Sequence, residues 1–163
     1  MAKKKKDNAN ENEAVIENRR ARFEYTIGET LECGIVLHGW EVKSVREGKV
    51  SLAEGYVRAS DSPPELVLHS VNIAEYGPAG KGNLKDAPTR NRKLLAHKRE
   101  ITRLWKSSQL KGNTLVPLKI YFKNGFAKLL VGVGTGRKSY DKREAIKERE
   151  TKREVLRAMS RRA

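Results

Sequence analysis

Two apolar runs joined by Asn124-Gly125 constrain this chain more than any other feature. Residues 115–123 and 126–133 flank the pair. Asn-Gly adopts the positive φ angles of a type I′ turn, whose twist matches that of two paired strands. A long antiparallel hairpin is therefore predicted. Val116, Leu118, Ile120 and Phe122 fall on one face of its first strand and Lys119, Tyr121 and Lys123 on the other, the pattern of a half-buried strand.

The body around the hairpin also reads mainly as strand. Phe23, Tyr25 and Ile27, then Leu31, Cys33, Ile35 and Leu37, alternate with Glu24, Glu32 and His38 on the opposite face, with a change of phase at Gly28-Glu29 that predicts a turn or bulge. Leu66, Val67, Leu68, Val71 and Ile73 form another run after the turn residues Asp61-Ser62-Pro63-Pro64. Residues 39–48, with Trp40, Val42 and Val45, fit either period, and a short helix is the reading taken. Leu94, Ile101, Leu104 and Trp105 share a helical stripe that Arg99, Arg103 and Lys106 avoid, and Gly112 is a stop signal, so a basic amphipathic helix is expected over about residues 97–110. Several short strands, turns between them and little helix point to a mainly β chain. A small closed antiparallel barrel suits it, because closure removes exposed edges.

With 163 residues there is room for one ordinary domain. Lys and Arg number 35 against 20 acids, a net charge of +15, which points to a polyanionic partner. That charge is uneven: residues 81–106 carry +7 and residues 137–163 carry +6. The expected division is a flexible basic N-terminus over 1–14, the barrel over 15–136 and a basic tail over 137–163. The tail stripe of Ile146, Leu156 and Met159 is thin, so the tail is expected to be disordered when free and to become a helix over about residues 141–159 against a polyanion, with Asp141 and Glu144 as its capping pair.

Some functions are set aside. No apolar run approaches the ~20 residues of a membrane span, and Lys3–Lys6 lead into Asp7 and Asn8 rather than an apolar signal core, so a cytoplasmic chain without membrane contact is expected. The single Cys33 cannot form an internal disulfide or a thiolate zinc site, and His38, His69 and His97 have no paired spacing; no cofactor is expected. Gly132-Val133-Gly134-Thr135-Gly136-Arg137-Lys138-Ser139 matches neither a P-loop nor a dinucleotide fingerprint and reads as a strand leading into the tail. Lys123–Ala127 resembles part of an RNA-recognition-motif signature, but Lys128 stands where a stacking aromatic belongs, and a hairpin with a structural Phe126 is the better reading. No triad or acidic cluster calls for catalysis. By contrast, residues 88–100 place Arg90, Arg92, Lys93, Lys98 and Arg99 where several phosphates could be met at once.

Five stretches together resemble one family: Asn18-Arg19-Arg20-Ala21-Arg22-Phe23-Glu24-Tyr25, Gly39-Trp40-Glu41-Val42-Lys43-Ser44-Val45-Arg46, Arg90-Asn91-Arg92-Lys93-Leu94-Leu95, Leu115-Val116-Pro117-Leu118-Lys119-Ile120-Tyr121 and Asp141-Lys142-Arg143. They resemble small protein B, the SsrA-binding proteins that partner bacterial transfer-messenger RNA (tmRNA), in family order over about residues 17–150. The resemblance implies an oligonucleotide-binding-type barrel with a few short helices. It also implies a non-enzymatic adaptor that binds the tRNA-like domain of tmRNA and delivers it to stalled ribosomes. Further partners so implied are the decoding centre of the small subunit and elongation factor Tu in the delivery complex, with the protein a monomer. Carried over by position, Glu32, Leu95 and His97 match residues needed for RNA binding, within a tmRNA-binding set that adds Arg90, Arg92, Lys93 and Lys98. In the tail, Arg137, Lys138, Tyr140, Asp141, Lys142, Arg143, Ile146 and Lys147 match the part that enters the vacant message channel, where Tyr140 would stack on a base. A general nucleic-acid-binding barrel is the alternative on composition alone.

Overall fold

The computed structural model describes residues 13–77 and 87–161. Lys81 and Lys85 of the basic segment, and nearly all of the N-terminal stretch 1–14, lie outside the described residues. The predicted hairpin is the longest unit: β8 (Asn113–Lys123) and β9 (Phe126–Gly136) pair along almost their whole length. Asn124 and Gly125 have φ of 52° and 78°, the type I′ combination.

Around it the order is β1 (Ile16–Glu17), α1 (Arg19–Glu24), β2 (Tyr25–Ile35), α2 (Gly39–Arg46), β3 (Val50–Ser51), β4 (Tyr56–Asp61), β5 (Pro64–His69), β6 (Asn72–Ile73), β7 (Arg92–Leu95), α3 (Lys98–Gln109), the hairpin, and α4 (Ser139–Ser160). The pairings run β8-β4-β5-β7-β2-β9 and return to β8, all antiparallel, so the main sheet closes on itself. Six strands form that ring. β1 adds to the other end of β8, and β3 with β6 makes a separate two-stranded sheet.

Simple alternation fails in two places, for one kind of reason. Against β9, the register of β8 slips between Pro117 and Lys119, and that of β2 slips between Ile27 and Thr30. Proline has no N–H to continue the ladder, which localises the first slip. As a result Leu115 and Ile120 enter the main core, whereas Val116 and Leu118 enter a second cluster with Ala21, against which Tyr25, Ile27 and Leu130 pack. The single apolar face expected for β8 is thus divided between two cores.

Asn18 ties this region together. Its Nδ2 donates to the carbonyls of Leu52 (3.1 Å) and Pro117 (2.9 Å), and its Oδ1 accepts from the Ala21 N–H at 3.0 Å, capping α1. That cap and the Arg20–Glu24 pair four residues apart turn Arg19–Glu24 into a helix, so Phe23 is helical rather than part of the first strand. The glycines of β9 serve packing: a Cβ on Gly132 would lie 2.8 Å from Leu118 Cδ1, and one on Gly134 2.9 Å from Tyr25 Cβ.

Two further expectations change. Leu94 belongs to β7 and is 1% exposed, while α3 supplies only Ile101 and Leu104 to the core. Phe126 is 69% exposed, because it follows the turn at the tip of the hairpin, beyond the barrel wall. Cys33 is a buried free thiol, and burial pushes its pKa up to about 12, so it is unreactive.

Candidate nucleic-acid interface

β7 alternates strictly. Arg92 and Leu94 point inward, and Lys93 and Leu95 point outward. Leu95 stands opposite Gly34 of β2, and Gly34 also stands opposite Lys128 of β9, which in turn faces Tyr121 of β8. Two residues along β2 from Gly34, and on its outward face, is Glu32. The outer wall of β7, β2, β9 and β8 therefore gathers Leu95, Glu32, Lys128, Tyr121 and Lys123. Leu95 is 55% exposed there, and a Cβ on Gly34 would come within 3.3 Å of the Leu95 Cβ. The absent side chain makes room for Leu95, whose Cδ1 and Cγ lie 3.6 and 3.8 Å from where that Cβ would be.

Glu32 is fixed in its charged form. The Tyr121 hydroxyl donates to Glu32 Oε2 in a short hydrogen bond, and Lys123 Nζ lies 3.4 Å from Oε1. The tyrosine hydrogen bond is the main cause that holds the Glu32 carboxyl below its ordinary range, with Lys123 adding to it. Burial and the same carboxylate push the Tyr121 phenol up, so it remains a donor. The result is a carboxylate with a defined orientation on a wall that also carries lysines. Such a carboxylate can accept hydrogen bonds from amino, imino or hydroxyl donors, and an exposed leucine beside it can cover an apolar face.

Behind this wall a buried network holds β7 in place. The Glu41 carboxylate is fully buried and accepts from Arg90 Nε (3.0 Å) and Nη2 (2.5 Å), Arg92 Nε (2.9 Å) and the His38 N–H (2.8 Å). The Arg92 guanidinium also donates to the carbonyls of Val71 (2.8 Å), Arg90 (3.1 Å) and Pro88 (2.8 Å). Burial pushes the Glu41 carboxyl up, but the donors from Arg90, His38 and Arg92 together outweigh it, and the net shift is downward. Burial shifts Arg92 downward, opposed by Glu41.

This geometry sorts the expected RNA-binding residues. Arg92 is a correction: with 0% of its side chain exposed it reaches no ligand and instead anchors the strand from within. Arg90 is 19% exposed and is also tied to Glu41. Lys93 is exposed and only loosely paired with Glu65 at 3.5 Å. His97 is exposed at the N-cap of α3, where its N–H donates to Glu100 at 3.1 Å, and Lys98 opens the helix beside it. Tyr121 and Lys123 share the polar face expected for the first hairpin strand, and Tyr121 ends a family-like stretch, but only cross-strand pairing brings them and Lys128 to Glu32. Glu41 is hidden for the same reason, although it lies within one of the family-like stretches.

The tail residues are not part of this wall. The Arg137 N–H donates to the Glu24 carbonyl at 3.0 Å, and α4 begins at Ser139, two residues before the expected capping pair. Asp141 consequently lies in the first turn, where it complements the helix dipole. No residue of α4 is buried, and Tyr140 and Ile146 are 67% and 44% exposed. Lys138, Arg143 and Lys147 are exposed as well, and Lys142 is half-buried.

The family model for SmpB, the SmpB protein, matches residues 15–161. The chain belongs to the SmpB family. Among curated relatives, the SsrA-binding protein of Halalkalibacterium halodurans is 48% identical over 149 residues, covering 91% of this chain and 94% of the relative. That of Levilactobacillus brevis is 48% identical over 159 residues, covering 98% of each. A solved structure described as "tmRNA-SmpB: a journey to the center of the bacterial ribosome" is similar with a TM-score of 0.64 at 48% identity, over 81% of this chain and 94% of that one. Membership of the SmpB family covers the ring, the Glu32 wall and α4 together. Among the described residues no group of His, Cys, Asp or Glu could hold a metal ion, and no helix is long and apolar enough to cross a membrane.

Proposed function

We propose that this chain is a non-enzymatic RNA-binding adaptor of trans-translation, which binds the tRNA-like domain of tmRNA and delivers it to stalled ribosomes. The observation that carries this reading is the exposed Leu95 beside the tyrosine-held Glu32 carboxylate, on a lysine-bearing wall in a member of the SmpB family. Leu95 thus offers a partner an apolar contact next to a carboxylate of fixed orientation. The relatives carry the name SsrA-binding protein, and the similar solved structure is described with tmRNA and the ribosome, which supports the same partner.

On this reading Glu32, Leu95, His97, Lys93 and Lys98 contact the tRNA-like domain, with Arg90 and Arg92 positioning their strand. The basic tail forms a separate module whose helix α4 has no buried residue to anchor it to the barrel. It enters the vacant message channel as a helix, with Tyr140 near the decoding centre. Elongation factor Tu shares the delivery complex, and the adaptor acts as a cytoplasmic monomer.

Deleting residues 137–163 tests the division of labour. Binding of the tRNA-like domain stays nearly intact and peptide tagging on stalled ribosomes is abolished; joint loss of both would refute separate modules. Equal affinity for tmRNA and an unrelated RNA of the same length at fixed salt would instead favour a general nucleic-acid-binding barrel.

A further inference from the structure

The wall that carries Glu32 ends at an apolar corner. Phe126 opens β9 directly after the Asn124-Gly125 turn and stands opposite Lys123, as Lys128 stands opposite Tyr121. Residues two apart on a strand share a face, so Phe126 lies on the outward face with Lys123, Tyr121 and Lys128. Lys128 also stands opposite Gly34, and Gly34 opposite Leu95. Two places beyond Gly34 is Val36, whose N–H donates to the Lys93 carbonyl at 3.0 Å and whose carbonyl accepts from Arg90 Nη2 at 3.4 Å. The same register brings Val36 level with Phe126 at the end of the wall. Phe126, Leu95 and Val36 are 69%, 55% and 44% exposed.

A cluster of exposed apolar side chains rimmed by polar residues marks an interaction site. The rim here is cationic. Lys93, Lys123 and Lys128 border the corner, and the exposed Lys93 and Lys123 approach the carboxylates of Glu65 and Glu32 only to 3.5 and 3.4 Å. An apolar face flanked by negative charge is what an unstacked nucleotide presents, with a π face on its base and a phosphate on either side. Glu32 cannot serve the same base. It stands opposite Leu130, four residues from Phe126 along β9, which is roughly 13 Å at the rise of a strand, whereas stacked bases succeed one another every ~3.4 Å. The corner and the carboxylate therefore meet different nucleotides.

We propose that Phe126 is a stacking platform for one unstacked base of the bound RNA, bordered by Val36 and Leu95, with Lys123 and Lys128 beside the flanking phosphates. The proposal rests on the Glu32 wall being the RNA interface. It assigns Phe126 a contribution to affinity that comes from its ring and not from charge, and that tolerates any base, since every base has a π face.

The test uses the full-length chain and the tRNA-like domain of tmRNA across a salt series. Phe126→Ala weakens binding about ten-fold, within the range for loss of one base–aromatic stack, and leaves the slope of log K against log salt unchanged because no phosphate contact is lost. Phe126→Leu, which keeps an apolar side chain without the ring, recovers little. Phe126→Trp restores affinity, and the fluorescence it adds is quenched when RNA binds. The urea midpoint of Phe126→Ala stays level with that of the unsubstituted chain, because the ring is already largely in solvent, so the lost affinity reports a contact and not the fold. Full affinity in Phe126→Leu or a flattened salt slope in Phe126→Ala would overturn the proposal. So would a Phe126→Ala chain that binds RNA normally but loses peptide tagging, which would place a protein at the corner instead. If the unsubstituted chain does not bind the tRNA-like domain, the adaptor reading fails and the platform falls with it; if it binds and Phe126→Ala binds equally well, only the platform fails.

Discussion

The Arg92 guanidinium meets the Glu41 carboxylate at 2.8 Å with neither side chain exposed. This pair joins α2 to β7 across 51 residues of sequence. Three backbone carbonyls complete the guanidinium's hydrogen bonds, and among the described residues no buried side-chain nitrogen or oxygen lacks a partner. Removing one member of such a pair strands the other charge in the interior. Arg92→Ala is therefore expected to destabilise the fold by about 3–5 kcal/mol, read as a lower urea midpoint. Arg92→Lys recovers little, since an ammonium cannot reproduce the planar fork. A midpoint unchanged in Arg92→Ala would contradict this assignment.

The same carboxylate sets an acid limit on stability. The pKa of Glu41 is lowered in the folded chain from an ordinary value of 4.5, so the unfolded chain binds its proton more readily. The stabilisation is complete above that ordinary value and is lost as pH falls through the folded one. Urea midpoints are expected to hold level from neutral pH down to about 5 and then drop. Glu41→Gln starts from a lower midpoint and shows a flatter acid limb. An acid limb as steep as that of the unsubstituted chain would assign the proton uptake elsewhere.

Alanine substitutions in the glycine run separate packing from ligand binding. A Cβ on Gly132 would approach Leu118 Cδ1 to 2.8 Å and Ile27 Cγ2 to 3.0 Å, whereas one on Gly136 meets nothing within 4 Å. Gly132→Ala is expected to cost about 1–3 kcal/mol and Gly136→Ala less than about 0.5 kcal/mol, by thermal or urea unfolding. Equal effects at the two positions would show that the run is not read by its neighbours in the barrel.

Leu95→Ala offers the complementary case. Its side chain is already largely in solvent, so unfolding stability is expected to move by less than about 0.5 kcal/mol. Affinity for the tRNA-like domain falls by about ten-fold, the loss expected when a leucine no longer covers a partner surface. A stability loss without a change in RNA affinity would place Leu95 in the fold instead of the interface.

Local chemistry makes much of this legible. Asn124-Gly125 marks the hairpin, the phase change at Gly28-Glu29 marks the slip in β2, and the apolar stripe of Ile101 and Leu104 marks α3. Each depends on residues within a few positions of one another. The candidate site is legible only in part. Glu32, Leu95 and His97 are marked by family resemblance, and they do lie at the surface of the barrel. Arg92 carries the same basic signal as its neighbours and is internal.

Composition and period established that a β-rich, strongly basic chain carries two separated concentrations of charge. Only the tertiary structure decided which of those charges face outward. Charge on a residue is a property of its chemistry, but its exposure follows from strand register, and register is set by cross-strand contacts. One slip at Pro117 divides Val116 and Leu118 from Ile120, and the strict alternation of β7 sends Arg92 to Glu41 while Lys93 and Leu95 face solvent.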